Sequence, residues 1–344
     1  MGKFRKKVFV ALSILLIFII SACSSEGDLK TVSKDENNTN KKITVNIAYG
    51  NQPGEPIDQL ANKWKELAED ESNNQLELKL YPSSQLGSEK DVVEQAVLGN
   101  NVVVLSGYDF LMDYVPDVGI LNAPYLVESI DDLVYLTSTD WFDGIRSDLR
   151  NEKIELITAD TVYGERHLMT NKKVTTPKDL KGLKIRVPNN QMSIKTFEAL
   201  GAAATPAPLA DLYTSLQQGL IDGAENPLPV LQGVKTQEVS KHVALTGHQK
   251  FLVPWIAGTE FIDTIPEDLV KILRETGEEA NAYGKGLVDE ETASVKKEFE
   301  DEGVEFHEVD VEPFKEKVHS VYEAFPAWTP GLYENIQELL KSRD

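Results

Sequence analysis

The sequence predicts an α/β protein of two lobes, joined by strands and braced by one long helix. Three observations carry this. Short β-branched runs, ITVNIAYG (43–50), LELKLYP (76–82) and NVVVLSG (101–107), alternate with amphipathic helical stretches, the order expected of parallel α/β architecture. The alternation then restarts: GERHLMT (164–170), KIRVP (184–188) and KHVALTGHQ (241–249) are strand candidates interleaved with helices around QMSIKTFEALG and ADLYTSLQQGLIDG. Residues 266–303 follow as nearly continuous helix, and about 35 residues at ~1.5 Å each exceed roughly 50 Å, more than one small lobe needs.

Taken in order, MGKFRKK carries four positive charges, VFVALSILLIFII is an apolar run of thirteen residues, and SAC follows. That is the order of a secretory signal over residues 1–22. The run spans roughly 20 Å as a helix, short of a ~30 Å hydrocarbon core. Ile20-Ser21-Ala22-Cys23 is similar to a bacterial lipobox, which makes Cys23 the expected lipidation site and the membrane attachment. Cys23 is the only cysteine, so the chain has no intramolecular disulfide despite the oxidising exterior that a signal implies. Residues 23–42 are almost free of apolar side chains and read as a flexible tether. Cleavage would remove four positive charges and no acids, taking the net charge from −21 to −25. Such a surface has no electrostatic affinity for nucleic acid or anionic lipid.

The first helix, PIDQLANKWKELAED, places Ile57, Leu60, Trp64 and Leu67 on one stripe. SEKDVVEQAVLGN opens with Ser88 and Asp91 in capping-box spacing and stops at Gly99. IELITAD (154–160) and LVPWIAGTEFI (252–262) read as further buried strands. Pro266 stands at the first turn of the long helix, with Gly277 and Gly284 as its possible breaks. The expected division gives 43–163 and 250–290 to one lobe. The other takes 164–249 and 291–344, with the C-terminal helices.

Enzyme signatures are absent: no HExxH, GxSxG, GxxxxGK or GxGxxG after a strand. Histidines 167, 242, 248, 307 and 319 show no metal-ligand spacing, so neither catalytic group, metal nor cofactor is expected. The arginines are more informative. Of seven in the chain, Arg166 and Arg186 lie in short apolar-flanked strand patterns rather than among helical surface charges. Ile185 and Val187 should face the core and send Arg186 to the opposite face. A guanidinium offers a planar fork that matches a carboxylate and stays charged at any relevant pH. Two of them near a lobe boundary suggest an anion site.

Four ordered stretches, YPSSQLGSEKDVVEQAVLGN, PDVGILNAPYL, LKGLKIRVPNNQMSIKTFEALGA and LYTSLQQGLIDGAENPL, resemble the solute-binding subunits of TRAP (tripartite ATP-independent periplasmic) transporters, the DctP family. The resemblance runs from about residue 43 to at least 325. It implies a two-lobed periplasmic-binding-protein-like (type II-like) receptor, outside the cytoplasm, that closes on a small carboxylate and delivers it to membrane permease subunits. It implies Arg186 as the carboxylate grip, Arg166 as a second contact, and Asn226 and Glu89 as polar contacts. An amide both donates and accepts, and a carboxylate accepts hydroxyls, so these choices fit a polar acid such as a C4-dicarboxylate, sugar acid or keto acid.

The chain departs from the family pattern in places. Leu209 in TPAPLADLY stands where many relatives carry an aromatic ring, and PYLV (124–127) replaces the usual PFLF. Tyr108 and Asp109 replace the acid and methionine expected after the helix. Leu209, Tyr108, His248 and Trp255 are therefore further candidate lining residues. Two rival readings are a receptor of similar fold presenting ligand to a sensor kinase, and a lipoprotein enzyme acting on an organic acid.

Overall fold

The computed structural model describes residues 42–343. The signal sequence, Cys23 and nearly all of the tether lie outside the described residues. Nine strands form one mixed sheet: β1 (Ile43–Ala48), β2 (Leu76–Tyr81), β3 (Val103–Leu105), β4 (Ile154–Thr170), β5 (Lys184–Val187), β6 (Ala203–Pro206), β7 (Gly223–Asn226), β8 (His242–Gly258) and β9 (Glu305–Glu308). The order is β2-β1-β3-β8-β4-β7-β5-β6, with β9 also on β8. Among the described residues, no helix is long and apolar enough to cross a membrane.

The two-lobed α/β expectation holds, but its strands are joined differently. IELITAD and GERHLMT are one strand of 17 residues, and KHVALTGHQ and LVPWIAGTEFI contribute to another of the same length. At ~3.3 Å per residue each spans roughly 56 Å. β4 and β8 pair antiparallel along their length and serve both halves. Toward one end β3 pairs with β8, leading on to β1 and β2; toward the other, β7 joins β4 and β9 joins β8. The outer strands pair in parallel, as expected, while the shared strands do not, because each crosses from one half to the other in the opposite sense. Gly164 at φ +124° and Gly247 at φ +50° interrupt the alternation, and the β4–β8 register shifts between Val162 and Gly164. For β4 this is why one strand reads as two in sequence.

The helix Pro56–Glu71 buries Ile57, Leu60, Ala61, Trp64 and Ala68, while Leu67 stays half-exposed. Its Trp64 Nε1 donates to Leu273 O at 2.9 Å, tying it to the long helix. That helix runs unbroken from Glu267 to Asp301. A Cβ on Gly277 would lie 3.2 Å from the Trp64 ring, and one on Gly284 would lie within 2.4 Å of Leu60. The two glycines are therefore points of close helix approach, and the helix continues through both. Thr161 Oγ1 donates to Asn281 Oδ1, and Asn281 Nδ2 to Asp160 Oδ1, so the helix also bonds β4 at mid-length. The C-terminal segment hydrogen-bonds back to Pro116, Pro124 and Leu126 through Trp328, Tyr322 and Gln337.

Candidate functional site

A cleft of ≈ 90 Å³ opens where β4 and β8 cross between the halves of the sheet. At ~30 Å³ per liquid water this is space for about three waters, the scale of a small molecule rather than a peptide. Arg166, Arg186, Asn226, Glu89 and Leu209 all line it. The strand pattern brings the two arginines together: β7 lies between β4 and β5, with Leu168 opposite Glu225 and Arg186 opposite Ala224.

The two guanidinium groups are in different states. Arg166 Nε donates to Glu225 Oε2 at 2.5 Å and its Nη2 to Oε1 at 2.7 Å, a bidentate pair with both residues buried. Its guanidinium also lies over the Phe251 ring, 4.6 Å from the centroid. Burial alone would push the Glu225 carboxyl up, but Arg166 outweighs it and holds the group at about 2. Arg186 makes one protein bond, Nε to Ala207 O at 2.8 Å, and its Nη1 is buried without a partner among the described residues. Burial, with the like charge of Arg166, depresses Arg186 to about 10. A buried guanidinium without its own carboxylate is a costly arrangement that an anion relieves.

Glu89, first residue of the helix Glu89–Val97, faces these arginines. Ser88 and Asp91 form the expected capping box there. Glu89 Oε1 accepts from Gly107 N at 2.7 Å and Ser106 Oγ at 3.0 Å. Burial raises its proton affinity, and the Gly107 and Ser106 bonds and both arginines oppose the rise. Gly107 is required by close approach, since a Cβ there would fall 2.1 Å from Asp109 Oδ1. Asp109 Oδ2 accepts from Asn190 Nδ2 at 2.8 Å, while Oδ1 is buried without a partner among the described residues. Burial, reinforced by Glu89 and Glu225, pushes Asp109 up to about 8, so it is protonated at neutral pH. Asn226 ends β7, where Pro227 turns the chain into a helix, and its amide makes no hydrogen bond among the described residues.

The family is read from the whole chain. The description of the bacterial extracellular solute-binding proteins, family 7 (DctP), matches residues 47–327. The chain belongs to that family. A TRAP periplasmic solute-binding protein of Actinobacillus succinogenes 130z, crystallised with bound L-galactonate, is 42% identical with a TM-score of 0.86; the match covers 87% of this chain and 100% of that one. Another, from Ochrobacterium anthropi with bound L-fuconate, is also 42% identical, with a TM-score of 0.85 over 87% and 99% of the two chains. The sialic acid-binding periplasmic protein SiaP of Vibrio cholerae is 28% identical, covering 83% of this chain and 88% of that one. These relatives are solute-binding proteins, not enzymes, so the enzyme reading falls away.

Three residues expected to line the cleft of this family 7 protein lie elsewhere. Tyr108 is fully buried in the core, edge-on to Phe142, and its hydroxyl donates to Ala159 O at 2.6 Å. Trp255 is also fully buried, packed against Tyr49 and Trp64 beneath the first helix. In both cases a large ring gains more from burial in the core than from a wet cleft wall. His248 stands behind the wall: its Nε2 lies 3.3 Å from Glu225 Oε2, its Nδ1 2.8 Å from Thr246 Oγ1, and its ring meets Phe197 edge-on. It orients Glu225 and is buried away from the cleft. Sequence reasoning missed Glu225 itself, although it precedes Asn226 in the quoted ENP turn. It also missed Asn51, Tyr163 and Phe251 on the cleft wall. Tyr163 donates to Asn51 Oδ1 at 3.3 Å and meets Phe251 edge-on at 5.4 Å.

Proposed function

We propose that this protein captures a monocarboxylate sugar acid of the aldonate type and delivers it to the membrane permease of a TRAP transporter. The observation that carries the reading is the unequal state of the two arginines. Arg166 is neutralised by Glu225, so Arg186 alone offers an uncommitted charged fork to a carboxylate. A second carboxylate at the other end of the ligand would meet Glu89 rather than a cation. Hydroxyls suit that end better, because Glu89 and Asn226 accept from them and Asn226 also donates. The relatives with bound L-galactonate and L-fuconate, at 42% identity, support a polyhydroxy monoacid over a C4-dicarboxylate.

The lobes in this reading are 43–163 with 250–290, and 164–249 with 291–344, hinged where β4 and β8 pass Gly164 and Lys250. Leu209 of one lobe sits at the mouth, where a Cβ on Gly50 of the other would meet it at 3.5 Å. The Asn190–Asp109 bond also joins the two lobes. Ligand contacts made only with the lobes together favour closure. Cleavage after residue 22, lipidation at Cys23 and a tether to residue 42 would hold the receptor at the extracytoplasmic face of the cell membrane, beside its permease.

The test is calorimetry on purified protein with L-galactonate, L-fuconate, D-galacturonate, succinate, L-malate, sn-glycerol 3-phosphate and neutral galactose. The aldonates should bind with stoichiometry one, and the dicarboxylates at least tenfold more weakly. Tight succinate binding without aldonate binding would reject the monoacid reading. Binding of neutral galactose alone would reject the carboxylate reading altogether.

A further inference from the structure

The five histidines, read along the sequence, show no metal-ligand spacing, because His242 and His307 are 65 residues apart. The sheet changes this. β9 pairs in parallel with the start of β8, placing His242 opposite Glu305 and Ala244 opposite His307. Side chains two apart on a strand share a face, so His242, Glu305 and His307 emerge together on one side of the sheet. His242 Nδ1 and His307 Nε2 are 3.2 Å apart. Glu305 Oε2 lies 3.6 Å from the first and 3.8 Å from the second. None of the three lines the cleft.

We propose that His242, Glu305 and His307 bind a divalent cation of the zinc class, bridging β8 and β9. Two nitrogens bound at ~2.0–2.1 Å in tetrahedral geometry lie about 3.3 Å apart, which matches the spacing of the imidazoles. The carboxylate oxygen needs to move inward by about half an ångström, an easy adjustment for a side chain that is mostly exposed. The donor set also selects the ion. Two imidazoles and one carboxylate suit zinc, whereas calcium and magnesium require more oxygen ligands. The fourth position faces solvent beside the exposed Glu305 and would take water.

The bridge would tie together two distant parts of the chain. β9 follows the long helix directly, and β8 is one of the two strands shared by both halves of the sheet. A bound ion would fix the point where the chain returns from that helix to the sheet. It would stabilise the folded state by RT ln(1 + c/Kd), with c the free ion concentration.

The test uses untagged protein, so that no added histidines compete. Calorimetry should find one zinc ion per chain, with a rise in Tm on zinc addition and none with calcium or magnesium. His307→Gln and His242→Gln should each weaken zinc binding at least tenfold, and Glu305→Gln by a smaller factor. L-Galactonate affinity should be unchanged in all three. Cobalt substitution provides a reading independent of any variant: the wild-type protein should show the intense visible d–d bands of tetrahedral coordination. Zinc affinity unchanged in both histidine variants would overturn the site, as would weak octahedral cobalt bands in the wild type.

Discussion

Replacing Arg186 with methionine tests the cleft most directly, because it should move stability and binding in different senses. The side chain is buried, yet among the described residues its Nη1 has no partner and its only protein bond is Nε to Ala207 O. Burial, with the like charge of Arg166, depresses its pKa to about 10. At about 1.36 kcal/mol for each tenfold change in proton affinity, holding the charge in the buried cleft costs on the order of 3 kcal/mol. Methionine removes that cost and keeps most of the volume, while losing one hydrogen bond worth about 1 kcal/mol. To the extent that the free cleft opens to water, the relief shrinks. The ligand-free Tm should therefore stay level or rise by up to a few degrees. Binding should move the other way. Losing a buried charge partner costs roughly 2–5 kcal/mol, or about 30-fold to several thousand-fold in Kd. Thermal unfolding with and without L-galactonate reads both quantities in one experiment. A Tm that falls by several degrees with the ligand shift intact would refute the reasoning, since Arg186 would then be a structural residue.

Other residues give separate expectations. Glu225→Gln leaves Arg166 buried without its counter-charge and should cost about 3–5 kcal/mol in urea unfolding at pH 7. The folded carboxyl lies at about 2, below its unfolded value of 4.5. Its contribution is thus present above pH 4.5 and lost as pH falls toward 2, and the variant should lack that part of the acid limb. Asp109 behaves oppositely: its folded value of about 8 lies above the unfolded 3.8, so ionisation destabilises the fold as pH rises between them. Asp109→Asn should flatten that slope while leaving L-galactonate affinity at pH 7 within a few-fold, checked by unfolding and calorimetry across pH. Gly50→Phe should press on Leu209 at the mouth and keep the lobes apart. Small-angle scattering should then show no ligand-induced compaction, and affinity should fall at least tenfold.

Some of this design is visible in the sequence because it is local. The stripe of the first helix, the Ser88–Asp91 cap and the apolar flanks of Arg186 each depend on neighbours within a few residues, and each is found as expected except that Ala68 rather than Leu67 completes the buried stripe. The full length of β4 is not visible, because Gly164 breaks the alternation while the backbone hydrogen bonding continues. Gly277 and Gly284 look like helix breaks, but their role depends on Trp64 and Leu60, more than 200 residues away. Tyr108 and Trp255 show the same difficulty: an aromatic side chain fits a core or a cleft equally well until the covering helix is placed. Glu225 was passed over because nothing in ENP reveals that its carboxylate is taken by Arg166, 59 residues earlier.

That pairing also answers why a site for one carboxylate would keep two buried arginines. An isolated guanidinium in this cleft would lean toward whichever carboxylate could reach it. The Glu225 carboxylate is held by Arg166 and steadied by His248, and Arg166 itself rests on the Phe251 ring. The result is a rigid, nearly neutral floor next to Arg186. Arg166 still repels its neighbour, which discourages Arg186 from collapsing onto Glu225 and keeps its open edge available. Asp109, being protonated, adds no negative charge where the ligand must bind. In the proposed complex Arg186, the arginine without a carboxylate pair of its own, would then meet the one carboxylate of the ligand, and Glu89 would face the hydroxyl end. Two open arginines would have made a stronger anion trap, but a less selective one, and a greater cost to the empty receptor.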